Sequence, residues 1–450
     1  AVVPRGGGMS YTRGYLPGAA GAILVDLSAM DRVLEIDPVD MLVTVEAGCT
    51  WASLHAALKP HGLRTPVWGT LSGVRATVGG GMSQNGMFWG AGNGTIAASA
   101  VRMRVVLADG TFLDTGSDFL RPFGPDLTGL FAAEAGAFGI KAEVTLPLVP
   151  EAEALAYGSF AFDTPAPMFA VMSAVGRAGL ASECFGFDPF LAAQRMKRDS
   201  LAADARQLVG MMKAQGGFWK AVREGAKVVA AGRSFLDEAP FSIHLIAEGR
   251  TQAEADEAMR RIEAIAREAG GRAVENIIPK VLRANPFPPV NSMLGPEGER
   301  WVPVHGVVRH SRALETFVRI GALYEARAAE MERLGVGAGA MVLTVGRTGV
   351  LIEPVFYFPG AWEPLHRRSV EPAHLARLRE GADDPDARAL VDRLRAEVID
   401  VFGRMGGVHF QIGRTYPLKA RSDPAGWRVL EAVKAAVDPD GRMNPGVLGL

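Results

Sequence analysis

The chain of 450 residues contains only two cysteines, Cys49 and Cys184, which are far apart in the sequence. Two lone cysteines are typical of a reduced, cytoplasmic protein rather than of a disulfide scaffold. The sequence has no CxxC and no HExxH motif. These motifs supply the usual ligand spacings for zinc, so we predict no metal site.

The chain also has almost no net charge and no long apolar run. The chain carries 48 basic and 49 acidic side chains, and the two signs are interspersed. A surface without a dominant sign favours neither nucleic acid nor an anionic membrane as a partner. No segment approaches the roughly 18 apolar residues of a membrane-spanning helix, and no signal-peptide pattern opens the chain. The sequence therefore predicts a globular protein without a transmembrane segment.

The usual nucleotide-binding fingerprints are absent too. No G-x-x-x-x-G-K-[ST] loop occurs, and Gly6-Gly7-Gly8 is followed by Met9-Ser10 rather than by a helix with G-x-G-x-x-G spacing. What the chain does contain is this triplet behind a short strand, and a second glycine cluster over 77–86. Glycine lets the backbone approach a ligand closely, and consecutive N–H groups form a nest for anions. Two such clusters predict a dinucleotide held by strands and turns.

Hydrophobic patterning predicts a strand-rich region over 1–149 and a mixture of helices and strands over 150–405, which together indicate an α+β fold. The predicted strands are a buried one over 22–27, hairpins over 33–45 and 101–110, and strands at 241–247, 302–308 and 350–358. The predicted helices cover 50–58, 251–270 (opened by a capping box), 385–405 and 424–437.

Five motifs and the chain's tail resemble the vanillyl-alcohol oxidase / p-cresol methylhydroxylase superfamily. The motifs are Gly6–Ser10, Val45–Gly48, Val78–Gly81, Val106–Gly110 and Gly136–Ile140, in that order, and the tail is Ala436–Gly446. The resemblance implies a two-part FAD-binding domain of the p-cresol methylhydroxylase type, with an α+β substrate (cap) domain over the flavin. The FAD domain would comprise 1–149, the cap domain 150–405, and 406–450 would return to the FAD domain.

The start of the chain departs from this family. Members normally begin with a strand–helix–strand unit before the first glycine loop, whereas this sequence begins with that loop's own strand. Because a missing strand would leave a sheet edge unpaired, we expect the intact protein to have further residues upstream.

The resemblance also implies which residues contact FAD. Backbone N–H groups of the first loop would hold the pyrophosphate, the second cluster would flank the diphosphate and the isoalloxazine, and the tail would approach the flavin. The implied contacts are Arg5, Gly6, Gly7, Gly8, Met9, Ser10, Tyr11, Gly79, Gly80, Gly81, Ser83, Asn85, Gly86, Gly139, Ile140 and Asn444.

We expect the flavin to be bound without a covalent bond. Several relatives place a histidine directly after the first glycines, and this chain has Met9 there. In the vanillyl-alcohol type the attaching histidine lies on a strand of the cap domain, and the similar segment here, 350–357, contains no histidine.

Oxidation of a C–H bond by a flavin needs a base for the accompanying O–H proton, and histidine suits this role. His305 and His409 are the candidates, and His409 is favoured because hydroxy-acid-oxidising members carry a histidine at the similar place. Nearby Arg414 and Tyr416 could bind a carboxylate or a phenolate.

Two branches of the family compete for the substrate. The segment around His409 departs from the E-H-G-[IV]-G pattern of the hydroxy-acid branch, and that branch's metal signature is absent. Arg414-Thr415 and Val437-Asp438-Pro439 are closer to the phenol branch. That branch carries an acidic residue just before the second glycine cluster, and the equivalent segment here, Trp68–Leu71, contains none. A group that uses the same domain for non-redox alkyl transfer carries a histidine cluster that this chain lacks.

The resemblance therefore predicts an FAD-dependent dehydrogenase or oxidase of a small hydroxylated substrate such as a 2-hydroxy acid. Oxidation of para-substituted phenols is the alternative, followed by non-redox alkyl transfer or a flavin-binding subunit. The electron acceptor, whether oxygen, a cytochrome or a quinone, stays open, as does a homodimer. We expect a cytoplasmic protein, which could associate with the inner membrane through its acceptor.

Overall fold

The computed structural model describes residues 1–196 and 241–450 of the chain. Its contacts divide the chain into two compact units, one formed by 1–151 with 409–450 and the other by 152–408. The α+β class predicted from the sequence is confirmed, because both units combine sheets with helices.

The first unit is built on an antiparallel sheet of five strands in the order β3-β4-β8-β6-β7, with separate pairs β1-β2 and β5-β9. Its strands are β1 Val2–Arg5, β2 Ile23–Asp26, β3 Val33–Asp37, β4 Leu42–Glu46, β5 Leu63–Arg64, β6 Arg102–Val106, β7 Phe112–Asp114, β8 Ile140–Pro147 and β9 Val149–Pro150. Its helices are α1 Trp51–Leu58, α2 Val78–Gln84, α3 Ile96–Ser99, α4 Leu127–Leu130, α14 Leu418–Arg421 and α15 Pro424–Val437.

The second unit contains an antiparallel sheet in the order β13-β10-β12-β11-β16-β17-β14, with β15 also on β17. Its strands are β10 Ala154–Phe162, β11 Glu183–Phe187, β12 Phe241–Gly249, β13 Arg272–Ala273, β14 Arg300–Pro303, β15 Gly306–Arg309, β16 Gly337–Val345 and β17 Gly349–Phe358. Its described helices are α5 Pro165–Ala178, α6 Pro189–Met196, α7 Gln252–Glu268, α8 Ile277–Ala284, α9 His310–Ala326, α10 Ala328–Arg333, α11 Pro364–Ser369, α12 Pro372–Leu375 and α13 Pro385–Arg404.

Local signals predicted many of these elements correctly. The hairpins β3-β4 and β6-β7 form as expected. Thr50 caps α1 through its side chain, and α1 buries Trp51, Leu54 and Leu58 on one face. Helices α13 and α15 begin after Asp384 and Asp423, each of which accepts hydrogen bonds from backbone N–H groups of the first turn. Short-range capping and turn chemistry therefore account for these boundaries.

Three local predictions are wrong or incomplete. The strand over 22–27 is not buried, because β2 pairs only with β1 and leaves Ile23 64% exposed. The strand over 302–308 divides into β14, which ends at Pro303, and β15, which begins at Gly306. At α7, Thr251 caps as predicted, but the Glu254 carboxylate accepts from the N–H of Arg250 rather than completing the box.

Candidate functional site

A cleft in the first unit brings the two glycine clusters together. It encloses about 860 Å³, including the part that opens to solvent. The predicted contacts that line it are Gly6, Gly7, Gly8, Met9, Ser10, Gly79, Gly80, Gly81, Ser83, Gly86 and Gly139.

The first glycine loop presents unused hydrogen-bond donors. The backbone N–H groups of residues 6–10 donate to no acceptor within 1–196 and 241–450. Backbone donors are normally paired, so five consecutive open N–H groups on a cleft wall are unusual in a folded chain. Such a run has the chemistry of an anion-binding nest.

Close packing explains why this loop contains glycine. A Cβ on Gly6 would collide with the hydroxyl of Thr77, and a Cβ on Gly7 would overlap the carbonyl oxygen of Arg75. The loop therefore lies directly against the segment that leads into α2. That contact holds the open N–H groups in place on the cleft wall.

The second cluster is not a nest, and this part of the prediction is wrong. Its residues form the first turns of α2, and their N–H groups already have acceptors. Gly79 donates to the carbonyl of Ala47 at 2.9 Å, Gly80 to the Thr77 hydroxyl at 3.1 Å, and Gly81 to the Thr77 carbonyl at 2.8 Å. Gly79, Gly80 and Gly81 therefore line the cleft without offering it backbone hydrogen-bond donors.

Glycine is needed in α2 because the helix packs closely on its neighbours. A Cβ on Gly79 would lie 2.5 Å from the Cβ of Ala47, and a Cβ on Gly81 would lie 3.1 Å from the Trp51 ring. Both distances are shorter than ordinary carbon–carbon contacts of about 3.5–4.0 Å.

Five of the sixteen predicted cofactor contacts do not line the cleft: Arg5, Tyr11, Asn85, Ile140 and Asn444. The Arg5 guanidinium pairs with Asp26 at 2.6 Å. The Asn85 side chain accepts from the N–H of Ala97 at 3.0 Å, which fixes the start of α3. Ile140 lies opposite Val106 in the sheet. Direct contact of any of the sixteen residues with FAD stays a prediction.

Asn444 is a central residue of a buried network behind the cleft. It is 1% exposed, and its amide nitrogen donates to the carbonyls of Gly14 at 2.8 Å and Ala135 at 2.7 Å. Gly14 and Ala135 themselves line the cleft. Through them, Asn444 positions the cleft wall without reaching it.

The Arg414 guanidinium belongs to the same network. It donates to the Asn444 side chain at 2.7 Å, to the carbonyl of Pro445 at 2.8 Å and to those of Arg13 and Gly14 at 3.1 and 3.4 Å. Burial lowers the pKa of this guanidinium from its ordinary value. These contacts give Arg414 a structural role, and binding of a substrate anion by it stays a prediction.

We expect Arg414→Met to destabilise the protein by about 2–4 kcal/mol, because several charge-assisted hydrogen bonds are lost together and their contributions are not additive. The midpoint of urea-induced unfolding measures this change. The matched control is Arg428→Met, since Arg428 is an exposed arginine in α15. Unchanged stability together with a raised KM would instead assign Arg414 to the substrate.

His409, Tyr416 and Arg421 form a second cluster in the first unit. The rings of His409 and Tyr416 are stacked, with centroids 4.0 Å apart. Arg421 Nη1 lies 2.8 Å from His409 Nε2. Because arginine can only donate, Nε2 is the acceptor, and the proton of the neutral imidazole is on Nδ1.

His305, the other predicted base, lies in the second unit, where it is buried between β14 and β15. The catalytic roles of His305, His409, Arg414 and Tyr416 stay predictions.

Sequence reasoning missed several residues that shape this site. Thr77 caps α2 and contacts the first loop, and a threonine before Val78 is a recognisable capping signal. Lys141, which lines the cleft, and Arg421, which contacts His409, gave no comparable signal, because their partners are distant in sequence or on another element.

Within the described ranges, no helix is both long and apolar enough to cross a membrane. The same ranges contain no group of three or more histidine, cysteine, aspartate or glutamate side chains arranged to hold a metal ion.

Two protein families match the chain. The FAD binding domain family matches residues 1–116, and the C-terminal domain family of FAD linked oxidases matches residues 374–448. The first match contains both glycine clusters, and the second contains His409, Arg414 and Asn444.

Curated relatives match about a third of the chain. D-lactate dehydrogenase [cytochrome] 1 of Saccharomyces cerevisiae is 36% identical over 168 residues, 35% of this chain and 28% of the relative. The glycolate oxidase subunit GlcD of Bacillus subtilis is 32% identical over 154 residues, 34% of this chain and 32% of the relative. A probable D-2-hydroxyglutarate dehydrogenase of Oryza sativa is 31% identical over 148 residues, 32% of this chain and 26% of the relative. The chain thus spans a third or less of the length of these relatives.

Solved structures share the fold over nearly the whole chain. The 4-ethylphenol oxidase from Gulosibacter chungangensis superposes with a TM-score of 0.71 at 17% identity, covering 100% of this chain and 84% of the oxidase. Alkyldihydroxyacetonephosphate synthase superposes with a TM-score of 0.68 at 16% identity, covering 99% of this chain and 71% of the synthase.

The cleft fits the FAD that these families bind. Its first loop offers five open backbone donors for a diphosphate. The chain therefore combines a region that matches an FAD binding domain with one that matches the C-terminal domain of FAD linked oxidases, and it shares the fold of p-cresol methylhydroxylase.

Proposed function

We propose that the protein is an FAD-dependent oxidoreductase that removes hydride from the carbon bearing the hydroxyl of a small 2-hydroxy acid. The observation that carries this proposal is a shared substrate class: the relatives named above are a D-lactate dehydrogenase, a glycolate oxidase subunit and a probable D-2-hydroxyglutarate dehydrogenase. Bound FAD supplies the hydride acceptor and then passes the electrons to an external acceptor.

The chain's own contribution begins with holding the cofactor. The N–H groups of residues 6–10 would bind the diphosphate, and residues of α2 line the same cleft. Asn444 and Arg414 hold the carbonyl groups of Gly14 and Ala135, two residues that line the cleft, in place. A cofactor held by preformed donors loses little further conformational freedom on binding.

His409 is the proposed base for the hydroxyl proton, and Arg421 controls when it acts. While Arg421 donates to Nε2, that lone pair is not free to accept a proton. A substrate carboxylate is a stronger acceptor for a guanidinium than a neutral imidazole is. Binding of a 2-hydroxy acid would therefore draw Arg421 to the carboxylate and free His409 Nε2 for the substrate hydroxyl.

An anaerobic substrate panel tests the proposal. We expect D-lactate, glycolate or D-2-hydroxyglutarate to bleach the flavin absorbance at about 450 nm, because hydride transfer reduces the ring. The L-enantiomers of lactate and 2-hydroxyglutarate, and the 2-oxo acids that correspond to all three compounds, serve as matched controls. Holoprotein that stays yellow with every hydroxy acid would contradict the proposal.

4-Alkylphenols form a second arm of the panel. Arg414-Thr415 and the end of α15 resemble the phenol branch in sequence, and Tyr416 is stacked beside His409. Bleaching by a 4-alkylphenol alone would assign the protein to that branch. Bound FAD with no bleaching by either class would favour non-redox chemistry or a flavin-binding subunit. After a positive result, oxygen, a cytochrome and a quinone can be compared as acceptors.

A further inference from the structure

Lys141 is a buried cation on the wall of the cleft. It belongs to β8, directly after Gly139 and Ile140, and it is 3% exposed. Gly139 and Lys141 both line the cleft, whereas Ile140 between them does not. Alternate residues of an extended segment point to the same side, which agrees with Gly139, just before β8, and Lys141, within it, both lining the cleft.

Glu134 fixes the position of this ammonium group. The Lys141 Nζ atom forms a buried ion pair with Glu134 Oε1, and both side chains are 2% exposed. The other carboxylate oxygen, Oε2, accepts from the N–H of Phe138 at 2.8 Å. An ion pair with this much burial is stable only when further hydrogen bonds satisfy its remaining atoms.

The loop that carries Glu134 is held by α2. Ala133 and Ala135 have φ angles of 56° and 54°, in the left-handed region that non-glycine residues rarely adopt. Their N–H groups donate to the carbonyls of Met82 at 2.8 Å and Ser83 at 3.0 Å. Strained backbone of this kind persists where surrounding contacts impose it, and it is concentrated at functional sites.

The hydrogen bonding of Lys141 is incomplete within the described residues. An ammonium group has three donors, and Lys141 uses one of them within the described residues, toward Glu134. Few water molecules can reach this group, and because Lys141 lines the cleft, a ligand there can supply an acceptor for a remaining donor.

We propose that Lys141, together with the open N–H groups of the first loop, donates a charge-assisted hydrogen bond to the diphosphate of the bound dinucleotide. The diphosphate is the anionic part of FAD, and a lysine ammonium is a compact point charge suited to phosphate oxygens. This inference rests on the FAD assignment and is independent of the proposed substrate.

The test removes the cation while keeping the fold. The double variant Lys141→Met with Glu134→Gln avoids a buried carboxylate without a partner. A second double variant, Lys141→Met with Glu134→Met, fills the same volume with apolar side chains. The matched control is Lys419→Met with Glu431→Gln, which removes an exposed lysine–glutamate pair of the same unit at 3.2 Å. Circular dichroism and thermal unfolding report the fold of each variant.

The readouts are the dissociation constant for FAD and the midpoint potential of the bound flavin. We expect both double variants to bind FAD at least tenfold more weakly than wild type, with an unchanged potential, and the control to bind like wild type. An unchanged dissociation constant in a folded variant would overturn the inference. A shifted potential would also overturn it, because it would put the ammonium at the isoalloxazine ring. Wild-type protein that binds no FAD would instead contradict the FAD assignment itself.

Discussion

Replacing His409 with alanine is expected to slow reduction of the bound flavin by a 2-hydroxy acid about 100- to 10,000-fold, the usual contribution of a positioned general base. The imidazole is the proposed acceptor of the hydroxyl proton, and alanine offers no atom that replaces it. Arg421 would lose its contact with Nε2 and remain available to the substrate carboxylate. We therefore expect a large fall in the limiting rate and a smaller change in KM, measured by anaerobic stopped-flow absorbance.

Two controls separate lost chemistry from lost structure. His409 does not line the cleft described above, so the variant should retain FAD with an unaltered visible spectrum. His61→Ala removes an exposed histidine of the same unit and should reduce its flavin at the wild-type rate. Undiminished reduction in His409→Ala would remove His409 from the catalytic residues and direct attention to His305.

Elements with a strong local signal could be predicted from the sequence alone. Asp109-Gly110 marks the turn between β6 and β7, and Asp384-Pro385 marks the first turn of α13. In both cases the determining residues are adjacent in sequence, so the physics of the turn or cap is visible without the fold.

Prediction failed where tertiary contacts override the local preference. Consecutive glycines disfavour a helix by about 1 kcal/mol per residue, so 79–81 indicated a turn. The helix forms because Thr77 caps it and because only glycine allows α2 to pack on Ala47 and Trp51. The strand over 22–27 was identified from its apolar residues, but its burial depends on what packs against it.

The candidate site shows the same division. The first glycine loop was recognisable because closely spaced backbone donors come from adjacent residues. The ion pair of Lys141 with Glu134 and the contact of Arg421 with His409 join different loops, strands or helices. Arg414 was noticed because it lies near a predicted base in the sequence, but its hydrogen bonds to carbonyl and amide oxygens of distant segments became visible only in the fold.

The first loop also gives the other large expected effect, which is loss of FAD in Gly7→Ala. The new methyl group would overlap the carbonyl oxygen of Arg75, a backbone atom that cannot move aside like the end of a flexible side chain. The loop must therefore move away from the segment before α2, and the N–H groups of residues 6–10 no longer converge. We expect purified Gly7→Ala to contain less than about a tenth of the wild-type flavin. Misplacing several donors at once costs more binding free energy than the roughly 1.4 kcal/mol that corresponds to a tenfold loss of affinity.

Flavin absorbance per mole of protein measures this loss. Gly426→Ala is the matched control, since Gly426 lies in α15 of the same unit and its added methyl group would have no neighbour closer than 3.9 Å. That variant should keep its FAD and gain slightly in helix stability. Because Gly7 contributes no side chain, its effect can only arise through the backbone. Full flavin content in a folded Gly7→Ala protein would mean that the open donors of the first loop do not hold the cofactor, and the diphosphate would then have to be bound elsewhere in the cleft.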